Sequence, residues 1–106
     1  SKAYYKMMMF KISVEAQNDL ENIWLCTFET WSAQQADRYY NLLIDEIEYL
    51  AENPDSGKDY AHVRKGYLCS KVRSHFIFYK INTKENLIEI IRILHQQMDN
   101  ENTLND

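Results

Sequence analysis

Few residues in this chain are of types that do chemistry. The histidines are His62, His75 and His95. No two of them stand four apart, no H-E-x-x-H pair is formed, and no Gly-rich phosphate loop is present. His95 closes a long apolar run near a basic band, where an imidazole could act as a general base. The alternative is a ring that bonds the sheet backbone. Arg92 alternates onto the same face as Ile88, Ile90 and Leu94 and is therefore expected to be at least half-buried. A buried guanidinium needs an anionic or carbonyl partner, either a structural one or a substrate. Cys26 and Cys69 lie too far apart to make a C-x-x-C pair, so two free thiols in a reducing cytosol are expected. No catalytic residue, metal site or cofactor is predicted from these groups.

The formal net charge of −4 hides an asymmetry. Residues 12–57 hold a single cation, Arg38, among ten carboxylates, a balance of −9. Residues 58–80 hold Lys58, Arg64, Lys65, Lys71, Arg73 and Lys80 against Asp59 alone, a balance of +5. An acidic chain is a poor general binder of nucleic acid, because that affinity rests on neutralised phosphates. A local basic band can still meet an acidic partner.

These groups must be positioned by one small domain. A length of 106 residues leaves no room for a second, and 45% apolar residues with only 2 Gly and 1 Pro exclude a disordered or collagen-like chain. No apolar run approaches the ~20 residues of a membrane-spanning helix, and a cytoplasmic location is expected. Residues 1–7 have no pattern and read as a leader or added segment ahead of a single domain at 8–106.

Met8, Phe10, Ile12 and Val14 alternate as a strand. Ser13 is placed to cap a helix over 15–31, with Glu15 in its first turn. That helix has an inward stripe of Ala16, Leu20, Ile23, Trp24, Thr27, Phe28 and Trp31. Ser32 and Gln35 form a capping box for a second helix, whose inward residues are Ala36, Tyr39, Tyr40, Leu43, Ile44, Ile47, Leu50 and Ala51. It ends at Asn53-Pro54, since the residue before proline avoids helical angles. Strand signals follow near 61–63, over 67–73 and over 75–81, with a hairpin loop at 82–86. Residues 87–95 are apolar on both faces, as in a central strand. The polar tail from Gln96 is expected to add little core, with Met98 and Leu104 anchoring one last turn. The fold class is α+β: a strand, a helical hairpin, then a three- to four-stranded, mainly antiparallel sheet.

The string Ser13-Val14-Glu15-Ala16-Gln17-Asn18-Asp19-Leu20-Glu21-Asn22-Ile23 resembles the opening S-x-x-A-x-x-D-L-x-x-I of the RelE/ParE toxin superfamily. Trp31-Ser32, Gln35-Ala36, Leu50 to Gly57, Arg64-Lys65-Gly66-Tyr67 and Ser74 to Tyr79 continue the resemblance in order. The closing Arg92-Ile93-Leu94-His95-Gln96-Gln97-Met98-Asp99 resembles the ParE branch in particular. The resemblance implies a RelE/ParE-like fold and a toxin of a type II toxin–antitoxin module. Its implied action is inhibition of DNA gyrase, with neutralisation by a ParD-type or related antitoxin in a hetero-oligomer. From the composition and charge, no membrane partner and no direct sequence-specific nucleic-acid binding are expected.

Ribosome-dependent mRNA endoribonucleases of the same superfamily carry an arginine where Phe76 aligns, and some carry a tyrosine where Gln96 stands. A ribonuclease needs positive charge where the phosphate gains charge in the transition state. Only Arg73, Arg92 and His95 remain for that alternative chemistry, with Lys71 a further possible cation. Antitoxin contacts are expected at Trp24, Phe28 and Trp31 and along Arg64, Lys65, Lys71 and Arg73. Target contacts are expected at Arg92, His95, Gln96, Gln97 and Met98.

Overall fold

A computed structural model describes residues 9–98 and 100–105. The expected leader 1–7, Met8 of the expected first strand, and Asp99 lie outside the described residues. The chain forms β1 (Met9–Ile12), α1 (Val14–Thr30), α2 (Ala33–Glu52), a 3-10 turn (Pro54–Ser56), β2 (Lys58–Asp59), β3 (Leu68–Val72), β4 (His75–Asn82), β5 (Leu87–His95) and α3 (Asn100–Asn105). One sheet has the order β1-β5-β4-β3-β2. β1 runs parallel to β5, and every other pairing is antiparallel. The expected α+β architecture is present, with β1 as a fifth strand.

Local chemistry sets the helix boundaries. Ser13 is extended, and its Oγ accepts the Ala16 N–H at 3.0 Å. Ser32 repeats this with the Gln35 N–H at 3.1 Å. Between the caps the antiparallel hairpin is pinned by a hydrogen bond of 2.9 Å from Trp24 Nε1 to Asp37 Oδ1. Its apolar stripe covers one sheet face, where Ala16, Leu20, Ile23, Leu43, Ile47 and Leu50 meet Ile77, Tyr79, Ile88, Ile90 and Ile93. Phe28 and Trp31 depart from the expected inward stripe and are exposed. Phe28 stacks on Trp24 beside the buried stripe of Ala16, Leu20 and Ile23, and Trp31 follows the end of α1.

Three further expectations are corrected. Residues 61–63 form a turn, and the edge strand lies instead at Lys58–Asp59. Its neighbour Gly57 packs so close to buried Tyr79 that a Cβ would collide with the ring. Tyr79 Oη accepts the Gly57 N–H and donates to the Pro54 carbonyl. The polar tail also carries core. Leu104 is buried with Cys69, Phe78 and Leu94 on the second face of the sheet, under Tyr60, Val63, Tyr67 and Phe76. Met98, by contrast, is exposed. Both faces of β4 and β5 are therefore covered, which explains why each strand carries apolar residues on both faces.

Arg92 is the third correction. Pairing passes from Phe78 opposite Arg92 to Tyr79 opposite Ile90, so Ile91 is an extra residue that forms a bulge. The bulge breaks the alternation, and Arg92 does not share a face with Ile88 and Ile90. β1 ends at Ile12, short of the bulge, which leaves an open edge on β5. The start of α1 closes that edge. Ser13 N–H donates to the Ile90 carbonyl, and Ser13 Oγ donates to that of Ile91. Asp19 Oδ2 accepts the Ile93 N–H at 2.9 Å, while both its oxygens grip Arg92 through Nε and Nη2.

Replacing Asp19 with alanine orphans a strand N–H and a half-buried guanidinium together, so a loss of about 3 kcal/mol is expected. Arg92→Leu leaves Asp19 bonded to Ile93 and is expected to cost about half as much. Denaturant melts compare the two; equal costs would show that the ion pair, and not the edge closure, is what matters. Leu104→Ala is expected to cost about 2 kcal/mol, as a nearly buried leucine does. A melting temperature unchanged by that substitution would mean that α3 is not part of the core.

Candidate functional site

The residues that could act on a partner gather at one end of the sheet. β3 and β4 are joined by a two-residue turn, Arg73-Ser74, because Val72 pairs directly with His75. Arg73 sits there at φ 53°, a left-handed conformation that favours glycine. His75 also pairs with His95 at the end of β5. The chain then stays close, since Gln96 N–H donates to the Ser74 carbonyl at 2.8 Å and Met98 N–H to the His95 carbonyl at 2.9 Å. The β3–β4 turn, both histidines and the exposed Gln96, Gln97 and Met98 thus form one corner.

The imidazole pair is held on every side. His75 and His95 meet edge to face with centroids 5.1 Å apart. Tyr39 Oη, from α2, donates to the Val72 carbonyl at 3.2 Å and shares a 2.6 Å hydrogen bond with His75 Nδ1. Burial pushes the His75 pKa down to about 4, and neighbouring His95 adds to this while Asp19 opposes it. His95 Nδ1 accepts the Gln97 backbone N–H at 3.1 Å. The ring thus bonds the backbone of the turn that follows β5, and not the sheet backbone expected from the sequence. Arg92 is likewise occupied by Asp19, whose hydrogen bond raises the already high guanidinium pKa. His75 is the residue that sequence reasoning missed: its only signal was a place at the start of a β-rich run, which looked like framework.

A cleft of about 510 Å³ opens beside this corner, between the tip of the helical hairpin and the β3–β4 turn. Trp31, Arg38, Tyr39, Arg73 and His75 are among its lining residues, and none of the residues lining it is acidic. The expected antitoxin residues do not form one surface. Trp31 and Arg73 share the cleft, whereas Trp24 stacks on Phe28 at 5.3 Å along α1. Lys71 lies over the Phe76 ring, and Arg64 donates to the Leu104 carbonyl, so both belong to the far face of the sheet. Lys65 is exposed in the adjoining turn. Among the described residues, no group of three or more His, Cys, Asp or Glu side chains could hold a metal ion. None of their helices is long and apolar enough to cross a membrane. Both cysteines are free, Cys26 exposed and Cys69 buried, and burial pushes the Cys69 thiol up to about 11.

The depressed His75 makes a pH prediction. In the unfolded chain this imidazole takes up a proton near pH 6.5, but in the folded chain only near pH 4. The unfolded state binds more protons between those values, so the contribution to stability is full above pH 6.5 and is lost as the pH falls toward 4. Wild type is expected to lose about 1 to 2 kcal/mol more than His75→Gln between pH 7 and pH 5, after allowance for partial exposure of the ring. Parallel pH profiles would mean that the ring is as hydrated as in the open chain.

Residues 10–100 match the family model described as the ParE toxin of the type II toxin–antitoxin system parDE. A Mycobacterium tuberculosis protein named Toxin ParE1 is 38% identical over 95 residues, covering 90% of this chain and 96% of that protein. A Caulobacter vibrioides protein of the same name is 36% identical over 93 residues, covering 88% and 94%. Among solved structures, one described as the chromosomal ParDE toxin–antitoxin system from P. aeruginosa superposes with a TM-score of 0.72. It has 17% identity and covers 84% of this chain and 96% of that one, a likeness of fold. The α+β sheet under a helical hairpin is thus the RelE/ParE-like fold, and this chain belongs to the ParE toxin family of type II toxin–antitoxin systems.

Proposed function

We propose that this toxin arrests growth in the cytoplasm by binding DNA gyrase, without catalysing a reaction, and that a cognate ParD-type or related antitoxin neutralises it in a hetero-oligomer. Membership of the ParE family supports this over the ribonuclease branch. The observation that carries it is that the groups an RNA-cleaving site would need are engaged within the fold. His95 Nδ1 accepts from Gln97, and Arg92 is bound on two of its nitrogens by Asp19. Where the nuclease relatives carry arginine stands Phe76, packed against the second core cluster. Of the cations expected for that chemistry, Arg73 and Lys71 are then the exposed ones left for an RNA phosphate, and Lys71 lies over Phe76 on the far face of the sheet.

A binding mechanism needs an exposed, positioned surface. Gln96, Gln97 and Met98 supply one, held against the β3–β4 turn by the Gln96 hydrogen bond to Ser74. Beside His95 and Arg92 they form the proposed gyrase contact. Exposed Phe28 and Trp31, with partly buried Trp24, offer apolar anchors for the antitoxin on the other side of the corner.

Induction of the toxin without its antitoxin, followed in time, tests this reading. Filamentation, DNA damage and loss of supercoiling are expected before any fall in translation, and the purified protein is expected to block gyrase supercoiling. His95→Gln is expected to weaken toxicity by less than about tenfold, whereas loss of a general base costs roughly 10² to 10⁴. Early translational arrest with intact chromosomes, or a loss of 10² in a well-folded His95→Gln, would establish the ribonuclease using Arg73, Arg92 and His95 instead.

A further inference from the structure

Among the described residues, the cleft beside the corner brings Arg38 and Arg73 together with no acidic residue in its lining. We infer that it receives carboxylate side chains of an acidic segment of the antitoxin, with Arg38 and Arg73 as the recognising cations and Trp31 as the apolar lip. This rests on the proposed neutralisation by an antitoxin, and it moves the charged contact from Arg64, Lys65 and Lys71 to the opposite side of the sheet.

Four observations converge on it. Arg38 is the only cation of residues 12–57, and the hairpin places it in the same cleft as Arg73, with no carboxylate in the lining. Both guanidiniums are exposed, and among the described residues neither has an ion-pair or hydrogen-bond partner, unlike Arg92. Arg73 occupies a left-handed turn position where glycine would be less strained, so strain is accepted to hold a cation at this edge. Trp31 is 75% exposed beside them, a large ring that gains most from being covered. Guanidinium forks bind carboxylates through paired hydrogen bonds, and a cleft of about 510 Å³ has room for short side chains entering from a backbone laid across its mouth.

A nucleic acid is a poorer occupant. Its phosphates come in long files, and the helices flanking the cleft carry Glu29, Asp37 and Asp45 on exposed positions in a chain of net charge −4. A segment that alternates carboxylates with apolar residues places only a few charges, at the two arginines, and lays its apolar side chains on Trp31 and Leu42.

The test uses the full chain and its purified cognate antitoxin, with association and dissociation measured at low and high salt. Arg38→Glu and Arg73→Glu are each expected to weaken binding by about tenfold or more and to flatten its salt dependence. Arg64→Glu and Lys71→Glu, on the far face, are expected to change it by less than about threefold. Arg73→Gly separates recognition from folding: it is expected to melt at the same temperature or higher, because strain is relieved, yet to bind about tenfold more weakly. Equal losses on the two faces, or normal binding by both cleft variants, would overturn the assignment while leaving neutralisation intact. Failure of the wild-type chain to bind any antitoxin would overturn both. A single-stranded oligonucleotide is run in parallel; a cleft that loses oligonucleotide binding but keeps the antitoxin is a nucleic-acid site, and the assignment falls.

Discussion

The Asp19 carboxylate joins helix to sheet at the point where the sheet would otherwise stay open. β1 stops at Ile12, yet β5 continues to His95, and the bulge at Ile91 turns backbone groups toward an edge with no strand beside it. An exposed strand edge is a template for unwanted pairing. Here Ser13 and Asp19 take the place of the missing strand, accepting the Ile93 N–H and donating to the Ile90 and Ile91 carbonyls. The same carboxylate binds Arg92, so the register of α1 on the sheet and the course of β5 toward His95 are set by one group. His75, His95 and the segment that follows owe their positions to it.

That arrangement gives Ser13, Asp19 and Arg92 a common structural use. Taken singly, these are a helix cap, a surface acid and a charged residue in an apolar run. Together they form one closure, spanning most of the chain between Ser13 and Ile93. The Gly57–Tyr79 contact works in the same way at the far end of the sheet, where a bare backbone lets a buried phenol reach both Gly57 and Pro54. Each is a place where side-chain chemistry does what a regular strand pairing does elsewhere.

Periodicity carried most of the fold. The capped hairpin, the central apolar strand and the buried positions of α2 follow directly from spacing, because each element has one face against a core. It failed where a local event breaks the period. The bulge at Ile91 reversed the face assigned to Arg92, and no residue type in that run marks it. The tail looked like solvent-facing chain because a single leucine, Leu104, makes its contribution to the core. Phe28 and Trp31 continued the spacing of a helical stripe whose buried members are Ala16, Leu20 and Ile23 alone. For the candidate site, His95 was identifiable by its place at a strand end and Arg73 by its place in the basic band, whereas the Arg38–Arg73 cleft joins residues 35 apart in sequence through a hairpin tip and a turn.

The charge distribution acquires a physical meaning from this geometry. Read along the chain, it divides into an acidic half and a basic band. In space, the basic band splits across the two faces of the sheet. Its far-face members rest on Phe76 and the α3 carbonyl of Leu104, where they cover the second core cluster. A lysine or arginine stem laid on apolar surface contributes packing as well as charge, so those cations have a structural use that Arg38 and Arg73 lack. The cleft pair gives the free toxin little in return: two like charges face one opening, one of them on a strained backbone. Both guanidiniums face water in the unbound chain, and an anion entering the cleft would meet their charge. A toxin that is to be held tightly by its antitoxin, and to differ physically when released, is well served by a surface that is satisfied only in the complex.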